Sequence, residues 1–199
     1  MSLLINYKKY KIIAGCDEAG RGCLAGPVVA AAVILSKPIK GLNDSKKLSK
    51  KQRNDLKSQI EENALCFAVS FIDNVIIDKI NILNASIEAM HLSLNKLSVV
   101  PEIILVDGNR FKPYKNILHQ TVIKGDGKYQ CIAAASILAK TYRDEYMENM
   151  HEQFPHYGWK NNVGYPTKAH RTAIETFGSC TLHRKTFRLL AEKKLKIDL

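Results

Sequence analysis

Short apolar segments alternate with helical patterns along this chain, and that alternation is the feature that most restricts its fold. Residues 27–35 and 102–106 are almost wholly apolar, which is typical of strands covered on both faces. Residues 11–17, 65–72 and 118–124 are predicted as three further strands. Strands that alternate with helices predict an α/β fold with a mixed central sheet flanked by helices.

Apolar spacing and capping residues predict the helices. One apolar stripe with steps of three and four predicts a single long helix; its members are Ile80, Leu83, Ile87, Met90, Leu94 and Leu97. Ser49 is predicted to cap a polar helix that extends to residue 63. We predict three later helices, at residues 129–150, 167–176 and 185–194, and Thr167 is predicted to cap the second of them. The last two form a helical addition against the sheet, so residues 1–155 are predicted as the main domain and 156–199 as a C-terminal helical extension.

The overall composition bounds where the chain works and what it binds. Its longest apolar run, residues 28–35, is far below the ~20 residues that cross a bilayer, and the N-terminus has no signal-peptide pattern. We therefore expect a cytoplasmic protein with no membrane contact. The formal net charge is +11, which suggests a polyanionic partner such as nucleic acid. The five cysteines contain no C-x-x-C pair, and we expect reduced thiols.

Four acidic residues lie at or beside the ends of predicted strands. They are Asp17, Glu18, Asp107 and Asp126. Carboxylates that crowd together take up protons unless a cation neutralises them, and Mg²⁺ prefers such hard oxygen ligands. This pattern fits a metal-dependent phosphodiesterase, a phospho-acceptor module, or a nucleic-acid-binding module whose acids are structural. Gly20 and Gly22, on either side of Arg21, let the protein backbone approach a ligand closely, which favours the phosphodiesterase.

Seven ordered motifs resemble the type 2 ribonuclease H family. They are GCDEAGRG at residues 15–22, NDSKKL at 43–48, VDGN at 106–109, KGD at 124–126, IAAASILAKTYRD at 132–144, GYPTKAH at 164–170 and LHRKTF at 182–187. The likeness runs over nearly the whole chain. It implies a ribonuclease H-like fold with a C-terminal helical extension. It also implies hydrolysis of RNA in RNA–DNA hybrids and incision 5′ to ribonucleotides embedded in duplex DNA, with Mg²⁺ or Mn²⁺ as cofactor, leaving 3′-hydroxyl and 5′-phosphate ends.

The resemblance also implies roles for individual residues. Asp17, Glu18 and Asp107 match the family's metal-binding acids, and Asp126 matches its fourth active-site carboxylate. Arg21, with Gly20 and Gly22, matches the loop that senses the ribose 2′-hydroxyl, and Tyr165 matches the tyrosine that packs on the neighbouring deoxyribose.

Three further expectations concern contacts with substrate, structure and assembly. Ser45 and Lys46 are expected to contact phosphate. A structural role is favoured for His183 and Arg184. No long unmatched apolar stripe stands in the sequence, so we expect a monomer.

Overall fold

The computed structural model describes residues 3–190, which form a five-stranded mixed sheet with the order β3-β2-β1-β4-β5. The strands are β1 (Ile13–Ala19), β2 (Val28–Leu35), β3 (Ala64–Ile72), β4 (Ile103–Asp107) and β5 (Leu118–Val122). β2 pairs antiparallel with β1 and with β3. β4 pairs parallel with β1 and with β5. The predicted mixed sheet is therefore confirmed.

Strand register determines which side chains meet at one edge of the sheet. Cys16 of β1 lies beside Val106 of β4 in the parallel pair. The next residue along each strand is an aspartate, Asp17 on β1 and Asp107 on β4, so the register brings these two acids side by side. β1 continues to Ala19, beyond its predicted end at residue 17, so Glu18 belongs to the strand and not to the glycine-rich turn.

The described residues form six α-helices: α1 (Lys50–Asn63), α2 (Asn74–Ile80), α3 (Ile82–Asn95), α4 (Gln130–Gln153), α5 (Trp159–Asn162) and α6 (Lys168–Phe177). Ser49 caps α1 in a full capping box, and the Thr167 hydroxyl accepts from the amide of His170 at the start of α6. Both predicted caps are confirmed.

The two faces of the sheet carry separate cores because strand side chains alternate. On one face, Ala30 and Ala32 pack with Met90 and Leu94 of α3. On the other face, Ala31 and Val33 pack with α1 and α4. Helix α4 lies very close to β1: a Cβ added at Gly15 would be 2.2 Å from the backbone of Cys131. This contact fixes α4 against the strand that carries Asp17.

The predicted single helix through residues 80–97 is wrong in one respect. The backbone breaks at Asn81, whose φ of 65° lies in the left-handed region, and the side chain of Asn81 caps α3 by accepting from the amide of Asn84. The apolar stripe lies across this break, with Ile80 on α2. Leu83 is exposed, because it falls in the first turn of the new helix.

The predicted helix at residues 185–194 is also wrong over its described part. Residues 185–190 are turn and irregular structure, because side chains elsewhere bind their backbone amides. The carboxylate of Asp78 accepts from the amides of Lys185 and Thr186. Arg184 donates its amide to the carbonyl of Leu24. The rest of that prediction, residues 191–194, lies outside the described residues.

The segment after α4 packs with Leu24 and with Met147 of α4 in a small apolar cluster. Trp159 and Tyr157 are buried in it. The predicted C-terminal helical extension is thus confirmed as α5 and α6. None of the helices within residues 3–190 combines the length and apolarity needed to cross a lipid bilayer.

Candidate active site

A cleft of about 280 Å³ opens where the carboxyl ends of β1 and β4 meet. Nine of the ten residues predicted as functional line it: Asp17, Glu18, Gly20, Arg21, Gly22, Ser45, Lys46, Asp107 and Tyr165. Two further polar residues lie in its wall and were not predicted as functional, Ser136 and Lys140 of α4. Their spacing of four puts both on the same face of the helix, but nothing in the local sequence marks that face as the one that meets the cleft.

Asp17 is buried at the floor of the cleft. Its Oδ1 accepts from the backbone amide of Glu18 at 2.7 Å, and the hydroxyl of Ser136 also hydrogen-bonds its carboxylate. Burial raises the pKa of Asp17 well above its usual range, and the neighbouring charges of Glu18 and Asp107 raise it further. These acids repel one another where little solvent screens them.

Glu18 faces the cleft and pairs with Arg21. The Arg21 Nη1 lies 3.0 Å from the Glu18 Oε1. Burial raises the pKa of Glu18, while the Arg21 guanidinium opposes that rise. Arg21 is half exposed, so its side chain can also reach solvent or a ligand at the mouth of the cleft.

Asp107 ends β4 and lies beside Asp17. Its Oδ1 accepts from the backbone amide of Gly125 at 2.7 Å, which leaves the second carboxylate oxygen without a bond to that turn. A Cβ added at Gly125 would be 2.6 Å from Ile132 and 3.4 Å from the Asp107 Oδ1. Glycine at this position therefore lets the turn approach the carboxylate closely.

Asp126 is the one predicted acid that does not line the cleft. β5 ends at Val122, two residues before its predicted end, and Asp126 lies in a short 3-10 turn, Gly125–Gly127. Burial raises the pKa of Asp126, and the charge of Asp107 raises it further. Lys46 opposes that rise, with its Nζ 3.9 Å from the Asp126 Oδ2. Asp126 thus borders the cleft through Asp107 and Lys46.

The donor chemistry of the cleft fits a hard divalent cation. Burial and neighbouring carboxylates raise the pKa values of Asp17, Glu18 and Asp126, as expected for crowded negative charge that a cation would neutralise. Among residues 3–190, no three His, Cys, Asp or Glu side chains already converge enough to hold a metal ion together. Two of these acids already bind protein groups: Glu18 pairs with Arg21, and Asp107 accepts from the Gly125 amide.

The glycine-rich loop that follows β1 is held from behind by two buried arginines. Gly20 has a φ of 93°, and a Cβ there would be 2.0 Å from the Arg143 Nε. The Arg184 Nη1 donates to the carbonyl of Arg21 at 3.0 Å. The predicted structural role of Arg184 agrees with its complete burial. The loop is therefore preformed, with the Arg21 side chain directed to the cleft.

Ser45 and Lys46 lie in a short 3-10 turn, Ser45–Lys47, on the other side of the cleft. Ser45 is buried, and its Oγ lies 2.9 Å from the Oγ of Ser136. This contact connects the turn to Asp17, because Ser136 also bonds that carboxylate. The side chain of Lys46 is 82% exposed. Its ammonium is therefore available at the surface of the cleft.

Tyr165 forms the far wall of the cleft. Its side chain is 38% exposed, too much for a core tyrosine. Its ring centroid lies 5.9 Å from the Lys140 Nζ and 5.9 Å from the Arg143 Cζ. The carbonyl of Tyr165 accepts from the amide of Thr167, the residue that caps α6. The ring is thus presented to the cleft from a fixed backbone.

Strand order, helices on both faces and an acidic cleft at the ends of the parallel strands define a class. The molecule is an α/β protein of the ribonuclease H-like class.

The comparisons with known proteins define the family. The family model described as Ribonuclease HII matches residues 14–190. A ribonuclease HII of Christiangramia forsetii is 60% identical over 198 residues, which cover 98% of this chain and 100% of that protein. The chain belongs to the ribonuclease HII family. It is an endoribonuclease, a hydrolase that acts on RNA in RNA–DNA hybrids.

Solved structures agree with this assignment. The ribonuclease H2 of Pyrococcus horikoshii OT3 superimposes with a TM-score of 0.77 at 27% identity, covering 89% of this chain and 94% of that one. The ribonuclease HII of Archaeoglobus fulgidus, solved in a complex with PCNA, gives a TM-score of 0.78 at 28% identity, covering 92% and 98%. The predicted ribonuclease H-like fold is confirmed.

Proposed function

We propose that this endoribonuclease also incises duplex DNA on the 5′ side of an embedded ribonucleotide. The products are a 3′-hydroxyl and a 5′-phosphate, and the reaction uses Mg²⁺ or Mn²⁺. The observation that carries the proposal is the single cleft shared by the acids, the glycine-rich loop and Tyr165. In such a cleft a phosphate and the sugars on either side of it are held together.

In this proposal the carboxylates bind and orient. Asp17, Glu18, Asp107 and Asp126 hold the divalent cations, and Ser136 keeps the Asp17 carboxylate in place through its hydroxyl. When bound, such cations supply an activated water and stabilise the leaving oxygen. The Gly125 amide holds one oxygen of Asp107, so the other oxygen is the one available as a ligand.

The sugars are distinguished on the two sides of the cleft. The backbone of Gly20–Gly22 and the Arg21 side chain bind the ribose 2′-hydroxyl, which is both donor and acceptor. Gly22 suits this task, because a Cβ there would meet nothing within 4 Å and the sugar can come close. The ring of Tyr165 packs on the following deoxyribose, where a 2′-hydroxyl would meet an apolar face.

Phosphate contacts come from the turn at Ser45 and Lys46. The exposed ammonium of Lys46 binds a phosphate oxygen as a point charge. Its weak pair with Asp126, at 3.9 Å, is readily exchanged for a ligand. Lys140 pairs closely with Asp144 of the same helix. Because of that pair we assign the phosphate contact to Lys46 and not to Lys140.

The wider proposals follow from the sequence. Residues 1–155 form the catalytic domain and residues 156–199 the extension that completes the substrate groove through Tyr165. The substrates are RNA–DNA hybrids and ribonucleotide-containing duplex DNA. We further propose that the protein works as a monomer in the cytoplasm.

The test is incision of a DNA duplex that carries one ribonucleotide. With Mg²⁺ or Mn²⁺ we expect a single nick 5′ to the ribonucleotide, and no product when a chelator is present. End mapping should give a 3′-hydroxyl and a 5′-phosphate. A nick on the 3′ side, or a cyclic phosphate end, would contradict the proposal.

Two controls make this test specific. An all-DNA duplex of the same sequence should stay intact, and a continuous hybrid should be cut at many positions. A protein that retains the ribonucleotide-bearing duplex without cutting it would be a binding module, and the proposal would fail.

A further inference from the structure

Two buried histidines behind Tyr165 have no part in the function described so far. His170 of α6 and His183, in the segment after α6, are both completely buried. Their Nε2 atoms lie 3.2 Å apart. Each ring also has a partner on its other nitrogen, so the proton positions on both rings can be deduced.

The hydrogen-bond partners permit one arrangement of protons. The His170 Nδ1 lies 2.9 Å from the carbonyl of Tyr165, and a carbonyl only accepts, so Nδ1 carries the hydrogen. In the neutral ring Nε2 is then an acceptor, which agrees with the indole N–H that Trp159 donates to it at 3.0 Å. The His170 ring is therefore fixed as the Nδ1–H form.

His183 must have the opposite form. Its Nδ1 accepts from the backbone amide of Cys180 at 3.0 Å. The hydrogen of the neutral ring is then on Nε2, 3.2 Å from the Nε2 of His170, and it shares the one lone pair of that nitrogen with the indole N–H of Trp159. The result is a chain of donors in one direction: the Cys180 amide to His183, His183 to His170, and His170 to the carbonyl of Tyr165.

The chain also reaches the loop on the opposite side of the cleft. His183 forms an antiparallel bridge with Ala25. The amide of Gly26 donates to the carbonyl of Leu182 at 2.9 Å, and the amide of Arg184 donates to the carbonyl of Leu24 at 2.8 Å. This bridge lies just beyond the glycine-rich loop. The imidazole pair therefore adds a second connection between the backbone behind that loop and the backbone of Tyr165, beside the amide of Leu24, which donates to the carbonyl of Gly164 at 2.8 Å.

We infer that His170 and His183 are positioning residues that fix Tyr165 relative to the glycine-rich loop and so set the preference for a ribose-to-deoxyribose junction. The inference rests on the proposed roles of Tyr165 and of the loop. Neither histidine lines the cleft, so neither touches substrate. Burial lowers the pKa of both rings, which supports the neutral forms that the hydrogen bonds require.

A matched pair of variants tests the inference. His170→Asn places an amide N–H near the former Nδ1 and keeps the donor to Tyr165, but it loses the acceptor at Nε2. His170→Gln does the reverse, since its side-chain amide reaches only the former Nε2. We measure the ratio of the initial rate on a single embedded ribonucleotide to that on a continuous hybrid. His170→Gln should lower this ratio about fivefold, the effect of one lost hydrogen bond of about 1 kcal/mol.

His170→Asn should keep the ratio within about twofold of the unmodified protein, although both variants unfold at lower temperature. A purely structural role would lower both unfolding temperatures and leave both ratios unchanged, and the inference would then be wrong. Tyr165→Ala separates a failure of the histidine inference from a failure of the proposed role of Tyr165. If Tyr165→Ala lowers the ratio and His170→Gln does not, the histidine inference fails alone. If Tyr165→Ala has no effect, the proposed reading of the junction fails and takes the inference with it.

A spectroscopic measurement on the unmodified protein does not depend on any variant folding. Nitrogen-15 NMR of the imidazole rings at neutral pH should show hydrogen on Nδ1 of His170 and on Nε2 of His183. The opposite form at either ring, or a protonated ring, would overturn the inference.

Discussion

At the scale of single residues, the clustered acids of the cleft destabilise the fold because they repel one another. Asp17 is buried beside two other carboxylates, and its pKa is raised by burial and by their charge. The arrangement benefits the folded protein only when a cation is present. We therefore expect a conflict between stability and activity at this position.

Asp17→Asn tests this conflict. The amide removes one negative charge but can still accept from the amide of Glu18. In the presence of a chelator the variant should unfold about 2–4 °C higher than the unmodified protein, a shift that corresponds to roughly 1 kcal/mol for a domain of this length. Mn²⁺ should raise the unfolding temperature of the unmodified protein and not that of the variant. A variant that is less stable without metal would show that its neighbours do not repel Asp17.

The sequence predicted most of these residues because they follow strands directly. Asp107 and Asp17 could be placed at one edge from the strand pattern alone. Ser136 and Lys140 could not, because they lie within a helix whose residues 133–135 are all alanine, and nothing local marks which face meets the cleft. Asp126 was predicted beside a strand end, whereas it lies in a 3-10 turn outside the lining of the cleft.

At the scale of elements, local chemistry decided where the predictions succeeded. The caps Ser49 and Thr167 were predicted correctly because a side chain that accepts from its own first turn needs no tertiary partner. The predicted helix at 185–194 failed because Asp78, more than a hundred residues earlier in the chain, binds the amides of Lys185 and Thr186. No local pattern carries that contact.

The packing of α6 against the final segment predicts a pH dependence. Burial and the neighbouring His170 lower the pKa of His183 to about 4, below its ordinary value of 6.5. Between pH 6.5 and 4, His183 therefore binds a proton in the unfolded chain but not in the folded protein. The contribution of neutral His183 to the free energy of unfolding is fully present above pH 6.5 and is lost as the pH falls toward 4. From pH 7 to pH 5 the loss is about 2 kcal/mol.

His183→Gln isolates this contribution, because the other titrating groups are common to both proteins. We measure the free energy of unfolding with urea at pH 7 and at pH 5. From pH 7 to pH 5 it should fall by about 2 kcal/mol less in the variant than in the unmodified protein. Equal decreases in the two proteins would contradict a buried, neutral His183.

At the scale of the whole molecule, the net charge of +11 is less freely available than the sequence suggests. Three basic side chains of α1 pair with acids of α4: Lys50 with Glu148, Arg53 with Asp144, and Lys57 with Glu145. The basic segment at 40–57 and the acidic segment at 144–152 therefore neutralise each other in part. The side chain of Lys46 remains exposed at the cleft, so its charge stays available for the proposed phosphate contact.

The fold class, the order of strands and helices, and the C-terminal extension could be predicted because they follow from alternating apolar segments and from the family motifs. The break at Asn81 could not, because the apolar stripe runs across it without interruption. The connection of the two sides of the cleft through His170 and His183 also could not be predicted from the sequence. It depends on ring nitrogens that meet only after α6 has packed.

The central claim is that the carboxylates of β1 and β4 together bind a divalent cation. Its most direct test is a titration with Mn²⁺, in which electron paramagnetic resonance measures the free ion. The unmodified protein should bind Mn²⁺ saturably. Asp107→Asn, which keeps the oxygen that accepts from the Gly125 amide, should bind it at least about tenfold more weakly, a loss of about 1.4 kcal/mol.

The matched control is Glu148→Gln, which removes an acid that pairs with Lys50 and does not line the cleft. It should bind Mn²⁺ as the unmodified protein does. If Asp107→Asn also binds Mn²⁺ with unchanged affinity, the cation is not held where β1 and β4 meet, and the account is contradicted.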